Sequence, residues 1–468
     1  MDVSPNFLPH NLHHDSVDLF HRSDPHLRRL RGLPYVGCRP LLSQMPVEMP
    51  GIYSVGGGRQ VGKTTLLKQW MVKLLASGVP AHRIVYLTGE LIDDHHALVS
   101  LLQGLLGSFP GTERNYVILD EVTYIKDWDR AVKYLADTGI LESTVLILTG
   151  SDLVFLKQAR MRFPGRRGMA DTADFHLYPL SFQEFYDLQG TEDSLTLVSR
   201  AQQEGLSPKE AEQLFRLFNQ YLIHGGYLSA INDLAVNGKI SPATLTVYAE
   251  WLRGDILRRG KREQYLRELL AALVKQAGSQ TTWHSLSSMT SIDHHRTVAD
   301  YVEVLARMDA LFVQPALQEH SLTSAPRKAR KIIFTDPFIL HSVRSWLNPT
   351  QEPYSNQIKP YLADAEQLAA LVESTVVDHY RRYFSCYYIK GEGEVDIAYV
   401  KGKRFYPVEV KWTRQLRPGD LKQISKYDNA TILGNTHHRG SLQGIVVQPL
   451  PLALLALCNQ NQERPPNV

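Results

Sequence analysis

The chain has 468 residues, more than a single hydrophobic core usually serves, so about two to four domains are expected. Its formal net charge of +3 excludes a uniformly basic protein, and any nucleic-acid surface must come from local clustering of charge. Three widely spaced cysteines, Cys38, Cys386 and Cys458, exclude a disulfide-rich secreted fold and indicate a reducing compartment.

The N-terminal segment, residues 1–45, is expected to be an irregular extension. Its first residues, MDVSPNFLPHNLHHD, lack the basic and apolar regions of a signal peptide, which indicates a cytoplasmic protein. His10, His13 and His14 could be drawn together by a metal, but a polar, weakly ordered tail fits the composition better. Near the C-terminus, IVVQPLPLALLALC is too short and too interrupted by proline to cross a bilayer, so we expect no membrane partner.

Residues 46–185 alternate between short apolar runs and helical patterns. GIYSV, RIVYLT, YVILD and TVLILT have the length and composition of strands buried on both faces. The helical patterns TTLLKQWMVKLLASG, HHALVSLLQGLLG and DWDRAVKYLADTG lie between them. This order predicts an α/β domain with a doubly wound parallel sheet.

The rest of the chain divides into three further predicted segments. Residues 186–260 show apolar positions at helical spacing and predict a helical lid. Residues 261–340 predict helices, one of them at 293–308, followed by the β-ribbon LFVQPAL to KIIFTDP, an order that resembles a winged helix. Residues 341–460 predict an α/β domain in which a helix, three strands and a helix follow one another from about residue 360.

A phosphate-binding signature follows the first predicted strand. GGRQVGKT fits G-x-x-x-x-G-K-S/T and opens a predicted helix, so its backbone N–H groups and the helix dipole can hold phosphates. Lys63 would neutralise the β- and γ-phosphates of ATP, and the hydroxyl of Thr64 would bind Mg²⁺. The competing interpretation is a chance match in a glycine-rich turn. The candidate nucleotide-binding residues here are Gly57, Gly58, Arg59, Gln60, Val61, Gly62, Lys63, Thr64 and Thr65.

Two adjacent acids end the predicted strand YVILD. Asp120 is placed to hold the magnesium ion through water, and Glu121 to polarise an attacking water molecule. Alone, such a pair would indicate a helix cap, but downstream of a phosphate loop it indicates a hydrolysis site. Thr149 and Ser151, at the tip of TVLILTGS, are candidates for sensing the γ-phosphate.

The motifs GGRQVGKTTLL, LDEVTYIKDWDRAVKYLAD, LTGSDLVFL, PGRRG and YPLSFQEF, in this order, resemble the AAA-type ATPases of bacteria and archaea that carry a C-terminal domain of long-undefined function. The resemblance covers about residues 20 to 430. It implies a homo-oligomer in which an arginine of a neighbouring subunit completes the ATP site, at Arg166 or the adjacent Arg167. A merely solvated basic surface is the alternative. GGYLSA departs from the family pattern, which commonly has proline after the aromatic residue.

YPVEVKW, residues 406–412, places Glu409 and Lys411 on one face of a predicted strand, because strand side chains alternate. Asp396 lies on the preceding predicted strand, GEVDIAYV, and Glu373 is the acid within the apolar part of LAALVESTVVDHYRRYF. This order resembles the PD-(D/E)xK nucleases, whose restriction-endonuclease-like α/β fold the family's C-terminal domain also resembles. Glu394 shares the face of Asp396 and is a weaker candidate.

The resemblance implies that Asp396 and Glu409 hold Mg²⁺ with the Val410 carbonyl, that Glu373 supports the metal, and that Lys411 orients the reacting water. A surface ion pair or an inactive relative of the fold are the alternatives.

Nucleic acid, in the form of linear, branched or single-stranded DNA, is the partner that these segments would share. The candidate contacts are Arg296, Arg327, Lys328, Arg330 and Lys331. The alternative is a winged helix that serves only as a packing module. Two function classes follow: an ATP-driven enzyme that remodels or cuts DNA, and a nucleotide-switched module that binds without cutting.

Overall fold

The computed structural model describes residues 5–37, 39–109, 113–150, 172–190, 192–413 and 421–458. Of the candidate residues, Ser151, Arg166 and Arg167 lie outside these ranges. The chain divides into two compact units, Met1–Tyr178 with Arg307–Asp309, and Pro179–Ala306 with Ala310–Val468. Within the described residues, none of the helices has the length and apolar character needed to cross a membrane.

The first unit is built on a five-stranded sheet in which every pairing is parallel, with the order β2-β3-β4-β1-β5. This confirms the predicted α/β class and the four predicted strands. Its strands are β1 (Gly51–Gly56), β2 (Ile84–Thr88), β3 (Asn115–Asp120), β4 (Thr144–Gly150) and β5 (Asp174–His176). Its helices are α1 (Val17–Ser23), α2 (Pro25–Leu30), α3 (Pro40–Gln44), α4 (Lys63–Ala76), α5 (His95–Gly107) and α6 (Trp128–Asp137).

The parallel order explains why the apolar runs are nearly continuous. β3 and β4 are buried along their whole length, because a parallel sheet has both faces covered. The carboxyl ends of β1, β3 and β4 meet at one edge of the sheet, so the residues that follow these strands lie close together.

The described part of the N-terminal extension, residues 5–37 and 39–45, contains three helices, which differs from the expected irregular tail. Phe7 and Phe20 are buried in the first unit. Asn11 lies against the outer strand β2, where its side-chain amide donates to Tyr86 O (2.8 Å) and accepts from Tyr86 N (2.7 Å). His13 and His14 each place Nε2 at 2.8 Å from Ile84 O, so these rings bind the backbone of β2.

The second unit holds the remaining helices and three further sheets. The helices are α7 (Phe182–Leu188), α8 (Ser194–Glu204), α9 (Pro208–His224), α10 (Leu228–Asn237), α11 (Pro242–Arg258), α12 (Glu263–Lys275), α13 (Trp283–Ser288), α14 (His295–Arg307), α15 (Pro337–Leu347), α16 (Lys359–Ala363), α17 (Ala365–Arg381) and α18 (Leu450–Leu455). α14 confirms the helix predicted at 293–308.

The strands of the second unit form a small antiparallel sheet, β6-β10-β7, a two-stranded ribbon, β8-β9, and a six-stranded mixed sheet, β11-β12-β13-β14-β16-β15. Their bounds are β6 (Gln280–Thr281), β7 (Leu311–Pro315), β8 (Leu317–Gln318), β9 (Thr323–Ser324), β10 (Arg330–Phe334), β11 (Ser385–Lys390), β12 (Glu394–Lys401), β13 (Arg404–Lys411), β14 (Thr431–Gly434), β15 (Gly440–Leu442) and β16 (Ile445–Pro449).

The prediction of a helix, three strands and a helix after residue 360 was incomplete, because β14, β15 and β16 extend the sheet. These strands have three to five residues and carry little periodic signal. The apolar run IVVQPLPLALLALC divides at Pro449, where β16 ends and α18 begins. Pro451 lies in the first turn of α18, where a missing N–H costs no helical hydrogen bond.

The GGYLSA segment enters α10 through a close contact between backbones. Leu180 N donates to Gly226 O (2.8 Å), and Gly226 N donates to Oδ2 of Asp336 (2.8 Å). A Cβ atom at residue 226 would overlap Leu180 O and lie 2.5 Å from Leu180 N. Glycine is therefore required at this position of the second unit.

Candidate functional site

The phosphate loop lies between β1 and α4, as predicted. Gly57, Gln60 and Gly62 have positive φ angles of 152°, 62° and 96°, so the loop turns sharply before α4 begins at Lys63. A Cβ atom at residue 57 would overlap Leu177 O, whereas one at residue 62 would meet open space. The loop therefore packs closely against the backbone of Leu177 at its first glycine and has free space beside its last.

Lys63 lies over this loop. Its Nζ donates to Gly57 O (3.1 Å) and Gly58 O (3.0 Å), and lies 3.7 Å from Oε1 of Glu121. Burial lowers the pKa of Lys63, while the charges of Glu121 and Asp120 oppose that shift. A cation is thus held at the position where the negative charge of a nucleotide would arrive.

Asp120 is surrounded by hydroxyl groups. Thr64 Oγ1 donates to its Oδ2 (2.8 Å), Tyr86 donates to the same oxygen, and Thr149 donates to Oδ1. Thr149 Oγ1 also accepts from Glu121 N (2.8 Å). The predicted magnesium ligands Thr64 and Asp120 are therefore in direct contact.

Tyr86 was not predicted as part of the site. It lies on β2, beside β3, and burial followed by the charge of Asp120 raises its pKa well above the usual value. Lys68 places Nζ 3.9 Å from the Tyr86 ring centroid and 3.2 Å from Oδ2 of Asp24 in the N-terminal extension. The sequence carries no local signal that places Tyr86 beside Asp120, because the contact depends on the pairing of β2 with β3.

Glu121 follows β3 in the left-handed conformation, with φ 51°. Gly89 makes room for this turn, because a Cβ there would lie 2.5 Å from Glu121 O. Oε2 of Glu121 is buried and has no hydrogen-bond partner among the described residues. The backbone strain and the unpartnered oxygen indicate a carboxylate held for a functional contact.

The remaining residues of the motif support the loop. Arg59 donates to Tyr124 Oη (3.2 Å), Val61 is buried, and Thr65 lies in the first turn of α4.

A second candidate site lies in the six-stranded sheet of the second unit. One carboxylate oxygen each from Glu373 on α17 and from Glu394 and Asp396 on β12 lie within 4.8 Å of one another. The β12–β13 pairing reaches Ile397 opposite Val408. Beyond that point, Val410 N donates to Oδ2 of Asp396 (2.9 Å). We call these three acids the carboxylate cluster.

Glu409 and Lys411 do share one face of β13, as predicted. Lys411 Nζ lies 2.7 Å from Oε1 of Glu409, whose Oε2 is buried and has no partner in the described part of the chain. Burial and then the charge of Asp396 raise the pKa of Glu409 to about 8. The same two causes raise the pKa of Glu373 to about 7. Glu394, the weaker candidate, lies in the cluster with Glu373 and Asp396, and the metal-binding role of Glu409 stays a prediction.

Lys331 was predicted to contact nucleic acid on an exposed wing, and the structure instead buries it at 1% exposure on β10. Its Nζ lies 2.6 Å from Oε1 of Glu373 and 3.6 Å from Oδ1 of Asp396, and it also contacts Glu394. Burial lowers the pKa of Lys331, but the three carboxylates outweigh it and raise that pKa above the usual value. The alternation of β10 explains this, since Arg330 and Lys331 point to opposite faces.

The other predicted nucleic-acid contacts do not form one surface patch with Lys331. Arg296, in the first turn of α14, is exposed, as are Arg327 and Lys328 before β10. Arg330 is half-buried and lies 4.3 Å from the ring of Trp283.

Comparison with known families gives two matches. Residues 50–186 match the model of an AAA domain, and residues 215–350 match a domain of unknown function. An uncharacterised protein of Haemophilus influenzae is 22% identical over 264 residues, which cover 54% of this chain and 59% of that protein. Residues 50–186 are therefore similar to AAA-type P-loop ATPases.

Solved structures that match this chain include a Walker-type ATPase of Pyrococcus abyssi. It is 13% identical, with a TM-score of 0.40, over 70% of this chain and 97% of that one. The Orc1 protein of Aeropyrum pernix, solved in complex with DNA, is 15% identical, with a TM-score of 0.30, over 72% of this chain and 94% of that one. At these TM-scores the similarities do not bear on function.

Proposed function

From the AAA-type character of residues 50–186, we propose that the first unit binds ATP with Mg²⁺ and hydrolyses it. The observation that carries this proposal is the arrangement of Lys63, Thr64, Asp120 and Glu121 around one loop.

The donor set fits both groups. The hydroxyl of Thr64 and the carboxylate of Asp120 are hard oxygen ligands in contact, which suits magnesium, and the Lys63 ammonium suits phosphate. Bound magnesium would neutralise charge that develops on the phosphates.

The chain itself would supply position and proton transfer. Lys63 would exchange its two backbone carbonyl contacts for phosphate oxygens, and Thr149 would keep Asp120 and Glu121 oriented through its hydroxyl. Glu121, with its unpartnered Oε2, would accept a proton from the attacking water. Arg166, outside the described residues, stays a prediction for an arginine contributed by a neighbouring copy.

Changing Glu121 to glutamine should leave ATP binding intact and slow hydrolysis by about 100-fold or more, because an amide keeps the shape but cannot accept the proton. Steady-state phosphate release and equilibrium binding of a fluorescent ATP analogue would measure the two effects. Glu90→Gln, an exposed carboxylate near the site, is the matched control and should hydrolyse ATP normally. Wild-type turnover by Glu121→Gln would place the base elsewhere.

For the second unit we propose a magnesium-dependent phosphodiesterase site that acts on DNA. The carboxylate cluster supports it, because three carboxylate oxygens within 4.8 Å of one another repel each other and a divalent cation would relieve that repulsion. Glu373, Glu394 and Asp396 would hold the metal, which would supply Lewis acidity. Lys411 would stabilise charge that develops on the phosphodiester.

The alternative is a nucleotide-switched module that binds nucleic acid or protein without cutting. The near-neutral net charge and the small exposed set of basic residues at Arg296, Arg327 and Lys328 favour it. The homo-oligomeric state and the winged-helix character of the β6-β10-β7 region belong to either proposal.

Asp396→Ala should lose divalent-cation binding and DNA cleavage together, whereas Lys411→Ala should lose cleavage and keep cation binding. Cleavage of linear, single-stranded and branched DNA with Mg²⁺ or Mn²⁺, with and without ATP, would be measured beside thermal unfolding. Glu392→Gln, an exposed acid paired with Lys422 and Lys426, is the control and should cut normally. Lys331→Met removes the ammonium that contacts the cluster and is therefore assayed as well. If neither the wild type nor Lys331→Met cuts any of these substrates, the non-cutting binding module is the better interpretation.

A further inference from the structure

Lys331 places a positive charge inside the carboxylate cluster. Its side chain is 1% exposed, and its ammonium contacts all three acids, Glu373, Glu394 and Asp396. The residue comes from β10, which belongs to a different sheet from β12, where two of the acids lie. The contact therefore joins two sheets of the second unit.

The ammonium and a divalent cation require the same space. Magnesium binds carboxylate oxygens at about 2.0–2.1 Å and needs several of them to converge on one point. The converging oxygens of Glu373, Glu394 and Asp396 already face Lys331 Nζ. Two cations cannot share this space without strong repulsion, so binding of one excludes the other.

Hydrogen bonds between the two sheets hold Lys331 in place. Lys331 pairs with Gln280 of β6 and Gln314 of β7. The side chain of Gln280 donates to Glu394, and Gln314 Nε2 donates to Asp396 O (2.9 Å) and Tyr387 O (3.0 Å). The backbone of Lys331 is therefore anchored at this interface, which directs its side chain toward the cluster.

An unpartnered oxygen lies next to the cluster. Glu409 precedes Val410, whose N–H donates to Asp396, and it is 3% exposed. Its Oε1 pairs with Lys411 Nζ (2.7 Å), and its Oε2 has no partner among the described residues. Among the described residues, the three acids of the cluster and Glu409 face two ammonium groups, those of Lys331 and Lys411. Removing the Lys331 ammonium would leave the acids of the cluster short of positive charge, which is the condition in which a divalent cation would bind.

We propose, on the premise that the cluster is the divalent-cation site assigned above, that Lys331 is an intramolecular competitor for the metal. The cluster holds either the Lys331 ammonium or a divalent cation, and the conformation described here is the one closed to metal. Metal binding requires that the Lys331 ammonium leave the cluster. Metal affinity therefore depends on the position of β10, which carries Lys331.

The test is Mn²⁺ binding by isothermal titration calorimetry to the full chain without nucleotide. Lys331→Met should bind Mn²⁺ at least about tenfold more tightly than the wild type, because the competing state is removed. Its thermal midpoint should be lower than that of the wild type without metal and should rise on adding Mn²⁺, while the wild-type midpoint stays unchanged. Lys403→Met, which removes the same charge from the exposed turn between β12 and β13, should behave as the wild type does.

The failures are distinguishable. If the wild type and Lys331→Met bind Mn²⁺ equally and Asp396→Asn abolishes that binding, the metal site exists and the competition is refuted. If neither binds Mn²⁺, the metal site itself is refuted and the competition with it. Should Lys331→Met not fold without metal, Lys331→Gln removes the charge but keeps a side-chain N–H donor for the acids, and the same two comparisons apply.

Discussion

Replacing Lys63 with alanine should abolish measurable ATP turnover, with a loss of at least about 100-fold, and weaken nucleotide binding. Lys63 is the cation that lies over the phosphate loop, held by Gly57 O and Gly58 O. Without it the γ-phosphate loses this counter-ion. Phosphate release at saturating ATP and titration with a fluorescent ATP analogue would measure both losses.

The matched control is Lys73→Ala on the same helix. Lys73 donates to Leu42 O (3.0 Å), far along α4 from the loop, so its removal should leave turnover within about twofold of the wild type. Unchanged hydrolysis by Lys63→Ala, or equal losses in both variants, would contradict the assignment of the ATP site.

Changing Gly226 to alanine should destabilise the second unit by about 3 kcal/mol or more. The added Cβ would overlap Leu180 O and crowd Leu180 N, and both are backbone atoms that a rotamer change cannot move. The variant should also weaken the hydrogen bonds of residue 226 to Leu180 and Asp336. Urea unfolding followed by tryptophan fluorescence would measure the change.

Gly254→Ala provides the control. Gly254 lies inside α11, and nothing stands within 4 Å of the position of its Cβ. Alanine there should stabilise the unit by roughly 1 kcal/mol, because glycine is the poorer helix former. A Gly226→Ala variant as stable as the wild type would show that the backbones can separate at this point.

The sequence predicted best what depends on local pattern. The strands and helices around the phosphate loop are long and periodic, and the spacing of Lys63, Asp120 and Glu121 follows from the order of strands in a parallel sheet. Tyr86 could not be placed at Asp120, because the pairing of β2 with β3 is a long-range contact that no local pattern encodes.

Lys331 shows the second kind of limit. A run of basic residues beside a polar loop is typical of an exposed surface, and the pattern of APRKARK predicts such a surface. Side chains alternate along β10, so Arg330 and Lys331 point to opposite faces. The burial of Lys331 depends on acids that are distant in sequence, and Glu373 lies 42 positions away. The short strands β14 to β16 were missed for a related reason. They form by hydrogen bonding to a sheet whose other strands lie earlier in the chain, and that pairing leaves no local pattern.

The amide of Asn11 gives the N-terminal extension a protective role. β2 is the outermost strand of its sheet, and an uncovered outer strand offers free N–H and C=O groups to another chain. Asn11 occupies both groups of Tyr86, and Asp24 neutralises the buried charge of Lys68. A shortened protein that starts at residue 46 would expose the unpaired edge of β2 and would leave the Lys68 ammonium without Asp24. It would therefore be prone to self-association through that edge. A shortened chain that keeps these contacts must therefore include Asn11 and Asp24.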